Sequence, residues 1–475
     1  RPLSRTQRSS CGAVVNGRRG RPGLEVIGPA DGGAELPAVE AALLARWPES
    51  RLEPSLDRIA ALCDVLGSPQ RAYPVIHVAG TNGKTSTARM IESLLRAFGL
   101  RTGLFTSPHL QTMRERIMFD GKPIAPDRLV ATYADLEPYL HLVDAAQAHP
   151  LSFFETITAL AYAAFAEAPV DVAVVEVGMG GSWDATNVAD GQVAVITQVA
   201  VDHAKFLGHT PVEIAVEKAG IVKPEATAVL AAQAEDVSAV LQQRAADVGA
   251  LLAREGQEFG LRGRLGAVGG QVLAIQGIGG LYEEMFLPLF GAHQAHNAAC
   301  ALAAVEAFLG GGRGRLDVEV VRAGFAGVRS PGRLEVVRRS PRIVLDAAHN
   351  PAGAAATAAA IAEDFAFRRL VGVVGVMADK DVVGILNALE PVLEEITVTA
   401  IDDPRAMPVD ELAAVAVDTF GAERVTVATR VDEALDIALS LAESGNDPAG
   451  SGVLVVGSVV LAGAARTLLR GGSAR

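Results

Sequence analysis

The sequence VIHVAGTNGKTS occupies residues 75–86 and passes from an apolar run into a turn with two glycines that ends in Lys-Thr. Apolar residues then recur at helical spacing as far as Phe98. Strand, glycine turn and helix in this order form a phosphate cradle, because backbone N–H groups and the helix N-terminus converge on an oxyanion and Lys84 adds a positive charge. The stretch therefore predicts a nucleoside triphosphate site. A plain strand-to-helix turn with a capping lysine is the alternative.

The cradle departs from the general P-loop formula at one position. That formula places its first glycine where this sequence has Val78. Gly80 and Gly83 must therefore form the turn without it.

Composition limits the classes of protein that remain. The chain has 475 residues, half of them hydrophobic, which predicts two domains and allows a third. A net charge of −13 argues against a nucleic-acid partner, because phosphate backbones require dense Lys and Arg. No apolar run reaches the length of a membrane span. The three cysteines fit neither a disulfide framework nor a zinc site, so we expect a soluble protein of the reducing cytoplasm.

The N-terminal segment differs in composition from the rest of the chain. Residues 1–33 are rich in Arg, Gly and Ser and lack the apolar core of a secretory signal, so we expect a disordered tail. Strand and helix patterns then alternate, starting with helices at Leu36–Trp47 and Leu56–Leu66. Residues 225–290 are less regular, and their glycine pairs predict hairpins at the edge of the first domain.

The alternation is interrupted at Gly324–Arg333, which we interpret as a linker because glycine and proline are frequent in it. Beyond it the alternation restarts, which predicts a second doubly wound parallel sheet. We therefore expect a first α/β domain at 34–326 and a smaller one at 327–475. In such sheets ligands bind at the carboxyl ends of the strands.

Two polar residues follow buried strands of the first domain. Glu176 closes the strand Val170–Val177, where a carboxylate is costly unless it meets a cation. A metal ion is the predicted partner, and a salt bridge to a buried Lys or Arg is the alternative. His203 follows the strand Val193–Thr197 in the same way.

Further candidates lie near the linker and beyond it. Asp346 and His349 follow the first strand of the second sheet and are expected to face the cleft between the domains. Arg333 is placed to clamp a phosphate when the domains close. Asn297 is placed to hydrogen-bond a base or ribose, although taken alone its segment predicts only a helix cap. Lys218 taken alone is an ordinary surface charge.

Together these motifs resemble the Mur ligase family, in its folylpolyglutamate synthase/dihydrofolate synthase branch. The resemblance runs from about Leu52 to Leu461. It rests on ordered motifs: GTNGKT at 80–85, TSPH at 106–109, EVGMGG at 176–181, DATN at 184–187, EKAGI at 217–221, HQ at 293–294 with Asn297, PGRLE at 331–335, and Asp346 with AHNP at 348–351. It implies an N-terminal P-loop ATPase domain of Mur ligase type with a mostly parallel sheet, a C-terminal Rossmann-like α/β domain, and an active site between them.

The resemblance also implies roles for particular residues. It implies ATP as the nucleotide, with contacts from Gly80, Thr81, Asn82, Gly83, Lys84, Thr85, Asn297, Arg333 and Asp346. It implies two Mg²⁺ sites, one at Ser107 and Glu176 and one at His203 with Lys218 as its N6-carboxylated form. The catalytic residues that it implies are Lys84, Glu176, His203, Lys218, Asp346 and His349. The pterin-side pocket that it implies comprises Ser152, Trp183, Asp184 and Ala185.

One position departs from the family pattern. Where the family usually has Arg after the double glycine, this chain has Ser182. The change removes a positive charge near the substrate carboxylate.

The resemblance implies an ATP-dependent amide ligase. The γ-phosphoryl group of ATP is transferred to a carboxylate, which gives ADP and an acyl phosphate. The α-amino group of L-glutamate then attacks the acyl carbon, and phosphate leaves. The acceptor is dihydropteroate, a folate that already carries glutamate, or both. We favour both, because the segments at Ser152 and Trp183–Ala185 resemble bifunctional bacterial members. A monomer with small-molecule partners only is also implied.

Other interpretations make different predictions. A P-loop switch or motor would hydrolyse nucleotide without an amino acid and would leave His203, Lys218 and Asp346 unused. A binding-only protein would hold no nucleotide at Lys84. A ligase acting on peptidoglycan precursors would need a uridine-binding domain, which the short region before Val75 does not supply.

Overall fold

A computed structural model of the chain describes residues 32–48, 53–444 and 450–471. The predicted disordered tail lies outside these residues, except for its last two, which begin helix α1 at Gly32–Leu44. No helix among the described residues is long and apolar enough to cross a membrane.

The cradle sequence lies at the centre of a large sheet. Strand β1 (Val75–Ala79) is buried along its whole length and pairs in parallel with β5 (Val172–Glu176) and β6 (Gly191–Ile196). The other strands of this sheet are β2 (Thr102–Phe105), β3 (Ile117–Phe119), β4 (Lys122–Pro123), β7 (Thr227–Leu230) and β8 (Leu251–Arg254). The order is β4-β3-β2-β5-β1-β6-β7-β8, with β3 and β4 as an antiparallel edge and the rest parallel.

Helices cover both faces of this sheet. Besides α1 they are α2 (Asp57–Val65), α3 (Lys84–Ala97), α4 (Pro126–Ala146), α5 (Phe153–Glu167), α6 (Ala204–Leu207), α7 (Pro211–Ala219), α8 (Glu235–Val248), α9 (Ala292–Gly310) and α10 (Val318–Ala326). Ile76 and Val78 pack toward α3, α9 and α10, whereas Val75 packs toward α1, α2, α4 and α5. Because successive strand residues point to opposite faces, an apolar strand such as β1 suits the middle of a two-sided sheet.

The prediction for residues 225–290 is partly wrong. The first part of this region is regular. Strands β7 and β8, which helix α8 connects, extend the first sheet. The predicted hairpins are confirmed, but they form a separate antiparallel sheet of β9 (Gly260–Ala267), β10 (Gly270–Gln276) and β11 (Leu281–Leu287). The turn between β9 and β10 carries Val268, which is fully exposed.

The predicted linker is wrong in its first three residues, which belong to α10. A Cβ atom at Gly324 would lie 2.8 Å from Leu94 Cδ2 of α3, and the neighbouring Phe325 is buried. This glycine therefore serves close packing of two helices rather than flexibility, and the irregular segment begins at Gly327.

A second large sheet follows, as predicted. Its strands are β12 (Glu335–Arg339), β13 (Arg342–Leu345), β14 (Arg369–Val374), β15 (Glu395–Thr399), β16 (Val425–Ala428) and β17 (Ser451–Val456). The order is β12-β13-β17-β14-β15-β16, and only the edge strand β12 is antiparallel to its neighbour. Its helices are α11 (Pro351–Asp364), α12 (Val382–Leu389), α13 (Val409–Phe420), α14 (Val431–Glu443) and α15 (Val459–Gly471). The predicted fold class, a mostly parallel α/β domain followed by a Rossmann-like one, is confirmed.

Candidate active site

The two cradle glycines are required by close contacts. Gly80 has φ +146° and Gly83 has φ +87°, conformations that favour glycine. A Cβ atom at Gly80 would lie 1.8 Å from Thr197 Oγ1, and one at Gly83 would lie 2.5 Å from Asn297 Oδ1. The predicted nucleotide residue Asn297, near the start of α9, therefore packs directly against the turn.

Lys84 lies folded over the cradle that it follows. Its Nζ donates to the carbonyl oxygens of Gly80 at 3.0 Å and Thr81 at 3.2 Å. The Thr81 hydroxyl in turn donates to the Ala200 carbonyl at 2.9 Å, which ties the turn to the segment after β6. Burial lowers the pKa of Lys84, and the nearby carboxylate of Glu176 opposes this shift. Hydrogen bonds within the chain therefore fix the shape of the cradle.

Glu176 contacts the predicted nucleotide residue Thr85 and the predicted metal residue Ser107. Its Oε1 accepts from the Thr85 hydroxyl at 2.8 Å, and its Oε2 accepts from the Ser107 backbone N–H at 3.3 Å. This arrangement arises because β5 is the immediate neighbour of β1, so that Glu176 lies level with Val78 at the carboxyl edge of the sheet. Burial raises the pKa of Glu176, and Lys84 opposes that shift.

These oxygen donors fit a magnesium ion. Among the residues that the structure describes, no group of three or more His, Cys, Asp and Glu side chains could hold a metal. Mg²⁺ does not require such a group, because it binds through one or two carboxylates together with hydroxyls, waters and substrate phosphates. Glu176, Thr85 and Ser107 supply donors of that kind beside the cradle.

Asp202 was not predicted as a site residue. It joins the two halves of the molecule, which are the part built on the first large sheet and the part built on the second. Its carboxylate accepts from Lys380 Nζ at 2.8 Å, from Asn350 Nδ2 at 3.0 Å and from the His203 backbone N–H at 2.8 Å, and His349 Nε2 lies 3.6 Å away. Burial alone would raise the pKa of Asp202, but His349, His203 and Lys380 together hold it well below its usual range. Both Asp202 and Lys380 lie past the carboxyl end of a parallel strand, which is the signal that could have identified them.

His203 is held in a strained position near this carboxylate. It has a left-handed backbone, with φ +51°, and its Nε2 lies 4.0 Å from Asp202 Oδ1. Burial lowers the pKa of His203 to about 4, with Asp202 opposing and Lys380 adding to the shift. The imidazole is therefore neutral near pH 7, the form that binds metals.

A pair of amide side chains also crosses between the halves. Asn82 Nδ2 donates to Asn350 Oδ1 at 3.3 Å, and Asn350 Nδ2 donates to Asn82 Oδ1 at 3.1 Å. Asn350 also caps α11 by accepting from the Gly353 N–H at 2.8 Å. The predicted motif of the second sheet and the cradle of the first are thus brought into contact.

Lys218 is buried in the last turn of α7 and is not the surface charge that its sequence context alone indicates. Its ammonium has no hydrogen-bond partner among the described residues. Burial and the nearby Lys84 lower the pKa of Lys218 to about 7. A large fraction of this amine is therefore neutral at pH 7, and the neutral amine is the form that reacts with CO₂.

Asp346 supports the segment that carries Arg333. Its carboxylate accepts from the backbone N–H groups of Leu334 and Ala348 and from the Thr357 hydroxyl, each at 2.9 Å. The predicted nucleotide residue Arg333 is therefore positioned by another predicted nucleotide residue.

Asp184 shapes the loop after Glu176. Its carboxylate accepts from the Met179 N–H at 2.8 Å, the Thr186 N–H at 2.9 Å and the Thr186 hydroxyl at 2.5 Å. Because the Thr186 hydroxyl donates to Asp184, it accepts from His77 Nε2 at 2.9 Å. His77 is fully buried in β1, and burial lowers its pKa to about 3, so the ring is neutral. Sequence reasoning missed His77, which lies inside an apolar strand.

Ser152 is linked to the loop after Glu176 indirectly, through the helix α5 that it caps. Its hydroxyl accepts from the Glu155 N–H at 3.2 Å and caps α5. Two residues later, the ring of Phe154 packs against Gly178, where a Cβ atom would lie 2.4 Å from Phe154 Cζ. None of the hydrogen bonds of Ser152 within the described part of the chain involves a cradle residue.

The double-glycine loop packs on the end of α7. Ser182 donates from both its N–H and its hydroxyl to the Glu217 carbonyl at 3.0 Å, and the Trp183 N–H donates to Glu217 Oε1 at 3.2 Å. A Cβ atom at Gly181 would lie 2.6 Å from the Glu217 carbonyl oxygen. Ser182 thus fixes the loop against the helix that carries Lys218. Ala185, the remaining predicted pocket residue, is buried and begins a short 3₁₀ turn after Asp184.

The structure has a small cavity that is lined by predicted site residues and a larger surface depression that is not. A cavity of about 30 Å³ between the halves is lined by Thr85 and Arg333 among others. A larger depression lies on α14 and is lined by Asp436, Ile437, Ser440, Leu441 and Ser444. The depression includes no predicted site residue.

Two protein-family models match successive parts of the chain. Residues 78–305 match the model of the Mur ligase middle domain, and residues 332–459 match that of the Mur ligase glutamate ligase domain. The dihydrofolate synthase/folylpolyglutamate synthase of Mycobacterium tuberculosis is 53% identical over 457 residues, which cover 92% of this chain and 94% of that protein. That of Escherichia coli is 34% identical over 359 residues, covering 75% and 80%.

Solved structures of named relatives are also similar to the chain. M. tuberculosis folylpolyglutamate synthase complexed with ADP superposes with a TM-score of 0.89 at 53% identity, covering 92% of this chain and 99% of that one. An E. coli protein in complex with DHPP and ADP superposes with a TM-score of 0.81 at 30% identity, covering 92% and 98%. The chain therefore belongs to the dihydrofolate synthase/folylpolyglutamate synthase branch of the Mur ligase family.

Proposed function

We propose that this chain is an ATP-dependent ligase that joins L-glutamate to dihydropteroate and to the γ-carboxylate of folate glutamates through an acyl phosphate. The main supporting observation is that the cradle, where Thr85 donates to Glu176, borders the other half of the molecule. Asn82 of the cradle contacts Asn350 of that half, and Asp202 contacts its Lys380. The named activities of relatives with 53% and 34% identity support it.

The cradle residues favour transfer of a terminal phosphoryl group. A carboxylate is too poor an electrophile to react with an amine at neutral pH, so it must first be activated. Lys84 and the N-terminus of α3 would stabilise the negative charge of the transferred group. Mg²⁺, held at Glu176, Thr85 and Ser107 and at His203 with Lys218 as its carbamate, would neutralise charge on the phosphates. ADP in the relatives' solved complexes supports the nucleotide assignment.

Residues of both halves would protect the activated acid. Asp202, Asn350 and Lys380 hold the halves together at the cleft, so that water is kept from the acyl phosphate until the amine of glutamate attacks. Asn297, Arg333 and Asp346 are assigned to the nucleotide, supported by the packing of Asn297 on Gly83. His349, 3.6 Å from Asp202, is assigned to the reacting centre.

The acceptor is assigned to the side of Ser152 and Trp183–Ala185. The packing of Phe154 on Gly178 and of the double-glycine loop on α7 supports this, because it joins both segments to the loop that follows Glu176. The E. coli structure with DHPP supports a dihydropteroate-like acceptor.

We also infer two domains, at 34–326 and 327–475, acting as a monomer in the cytoplasm. The matched family models, at 78–305 and 332–459, support the division. The thiols of Cys63 and Cys300 are buried and unpaired, which supports a reducing compartment.

The test supplies ATP, Mg²⁺ and L-glutamate with either dihydropteroate or a folate monoglutamate. ADP and the new amide are expected in equal amounts with both acceptors, and Lys84→Ala is expected to abolish both products. Nucleotide hydrolysis that is independent of glutamate and acceptor would favour a P-loop switch instead.

A further inference from the structure

Arg89 is a charged residue that lines the cavity between the two halves. It lies on α3 one turn after Thr85, and residues four apart share one helix face. Its side chain leans toward the N-terminus of the helix, as helical side chains do, and thus toward the cradle. The Arg89 guanidinium makes no hydrogen bond or ion pair with the residues that the structure describes.

The carboxylates around Arg89 are already engaged by other donors. Glu176 accepts from Thr85 and Ser107. Glu115 accepts from the backbone N–H groups of three consecutive residues, Leu110, Gln111 and Thr112. Glu92 accepts from Arg96 and Thr102. These acids lower the cost of holding a guanidinium here, but none of them uses its five donors.

Arg89 shares its cavity with a second arginine from the other side of the cleft. Arg89 and Thr85 of α3 line the cavity of about 30 Å³ together with Arg333 and Ala347, which adjoin the second sheet. The Arg333 guanidinium likewise has no partner within the described ranges. Two guanidinium groups at one cavity repel each other unless an anion lies between them.

His109 adds a neutral donor to the same cavity. Its Nδ1 accepts from Arg116 Nε at 3.0 Å, so its proton is on Nε2. Burial and Arg116 lower the pKa of His109 to about 4, so the ring is uncharged at neutral pH. The cavity therefore offers three N–H-bearing side chains, and its acid, Glu115, is occupied by backbone amides.

The size of the cavity limits the ligand to a small oxyanion. A volume of about 30 Å³ accommodates on the order of two oxygen-sized atoms and no aromatic ring. Thr85, in its wall, belongs to the phosphate cradle. Arg binds phosphate through two parallel N–H···O bonds, which gives both strength and orientation.

We propose that Arg89 is a nucleotide-phosphate ligand that, together with Arg333, clamps the phosphate oxygens of ATP between the two halves. The proposal rests on the proposed function and adds a residue to it. Since the two arginines come from opposite sides of the cleft, the nucleotide itself cross-links the halves through them.

The test measures nucleotide binding by calorimetry in the full chain. Arg89→Met should weaken binding of the β,γ-methylene analogue of ATP by about tenfold or more, because charge-assisted hydrogen bonds are lost. Binding of adenosine should not change, and Arg89→Lys should recover part of the loss. Arg96→Met is the matched control, since Arg96 is on the same helix but is 42% exposed and pairs with Glu92.

Each other outcome has a defined meaning. Unchanged analogue affinity in Arg89→Met, or a rise confined to the KM of the folate acceptor, would overturn the phosphate assignment and point to a carboxylate. If the unmodified chain and Lys84→Ala both fail to bind nucleotide, the proposed function itself fails and the clamp with it. A similar loss in Arg96→Met would make the effect one of helix stability.

Discussion

At the scale of single residues, Lys218 illustrates how burial prepares a side chain for chemistry. An ammonium without a hydrogen-bond partner is disfavoured inside a protein, so the amine loses its proton more easily. The reference pKa of 10.5 falls to about 7 for this reason and because Lys84 is near. The same burial that destabilises the charged form makes the neutral amine available to CO₂.

The cost of burying the protonated form of Lys218 predicts that folding stability depends on pH. Above pH 10.5 Lys218 is neutral in both states and below pH 7 it is protonated in both, so between these values the unfolded chain binds more protons and stability rises with pH. Lys218→Met should therefore be more stable than the parent near pH 7, by on the order of a few kcal/mol, and this advantage should shrink toward pH 10. Urea unfolding in CO₂-free buffer at several pH values measures it. Parallel curves for the two proteins would contradict the buried-amine explanation.

The negative charge of Glu176 is predicted to be needed for catalysis. Glu176→Gln keeps the shape of the side chain and an acceptor for Thr85, but it removes the negative charge. We expect kcat/KM to fall by about 10²-fold, as for the loss of a preorganised electrostatic contact. The loss should be only partly overcome by excess Mg²⁺. Full activity in steady-state assays would exclude Glu176 as a metal ligand.

At the scale of elements, the packing of the double-glycine loop on α7 positions the site. Gly181 has an ordinary φ, so its requirement for glycine is purely steric. A Cβ atom would lie 2.6 Å from the Glu217 carbonyl oxygen and 2.9 Å from Lys218 Cα, and backbone atoms of a helix cannot easily move away.

Gly181→Ala should therefore lower stability by about 1–3 kcal/mol through overpacking. It should also lower activity, since the loop and Lys218 must separate. Gly266→Ala on β9 is the matched control, because nothing lies within 4 Å of its Cβ position. Thermal unfolding and the ligase assay together measure both effects. Equal melting temperatures for the two variants would show that the loop yields without cost.

The elements that could be predicted from the sequence are those whose pattern lies within one continuous stretch of the chain. Strand β1, the cradle and α3 follow from one continuous pattern, and Glu176 was recognisable because it closes an apolar strand. The segment Gly324–Ala326 was misread because a glycine that allows two helices to touch has the same sequence appearance as one that allows a chain to bend.

At the scale of the whole molecule, the halves are held together by contacts that no local pattern records. Asp202 and Lys380 are 178 residues apart, and each is 9% exposed. Their pairing depends on how two sheets meet, so it could be seen only in three dimensions. Arg264 of β9 adds a second link, to Asp364 at the end of α11, at 2.5 Å.

The Asp202–Lys380 pair can be tested by a double-mutant cycle. Because each partner loses a nearly buried counter-charge when the other is removed, Asp202→Asn and Lys380→Met should each destabilise the protein. The double variant should be more stable than the sum of the single effects, with a coupling of about 1–3 kcal/mol. Urea unfolding of the four proteins gives the coupling. Additive effects would mean that the pair contributes nothing beyond its separate contacts.

The turn between β9 and β10 offers a position from which the distance between the two halves can be measured. A thiol introduced by Val268→Cys would be the only exposed one in the part of the chain that the structure describes, since Cys63 and Cys300 are buried. A fluorophore attached there, with a second one at Val427 on β16, which is 45% exposed, would report the separation of the halves by energy transfer. The dyes would occupy an outer turn and an edge strand, so any change in the distance between the halves during catalysis could be followed.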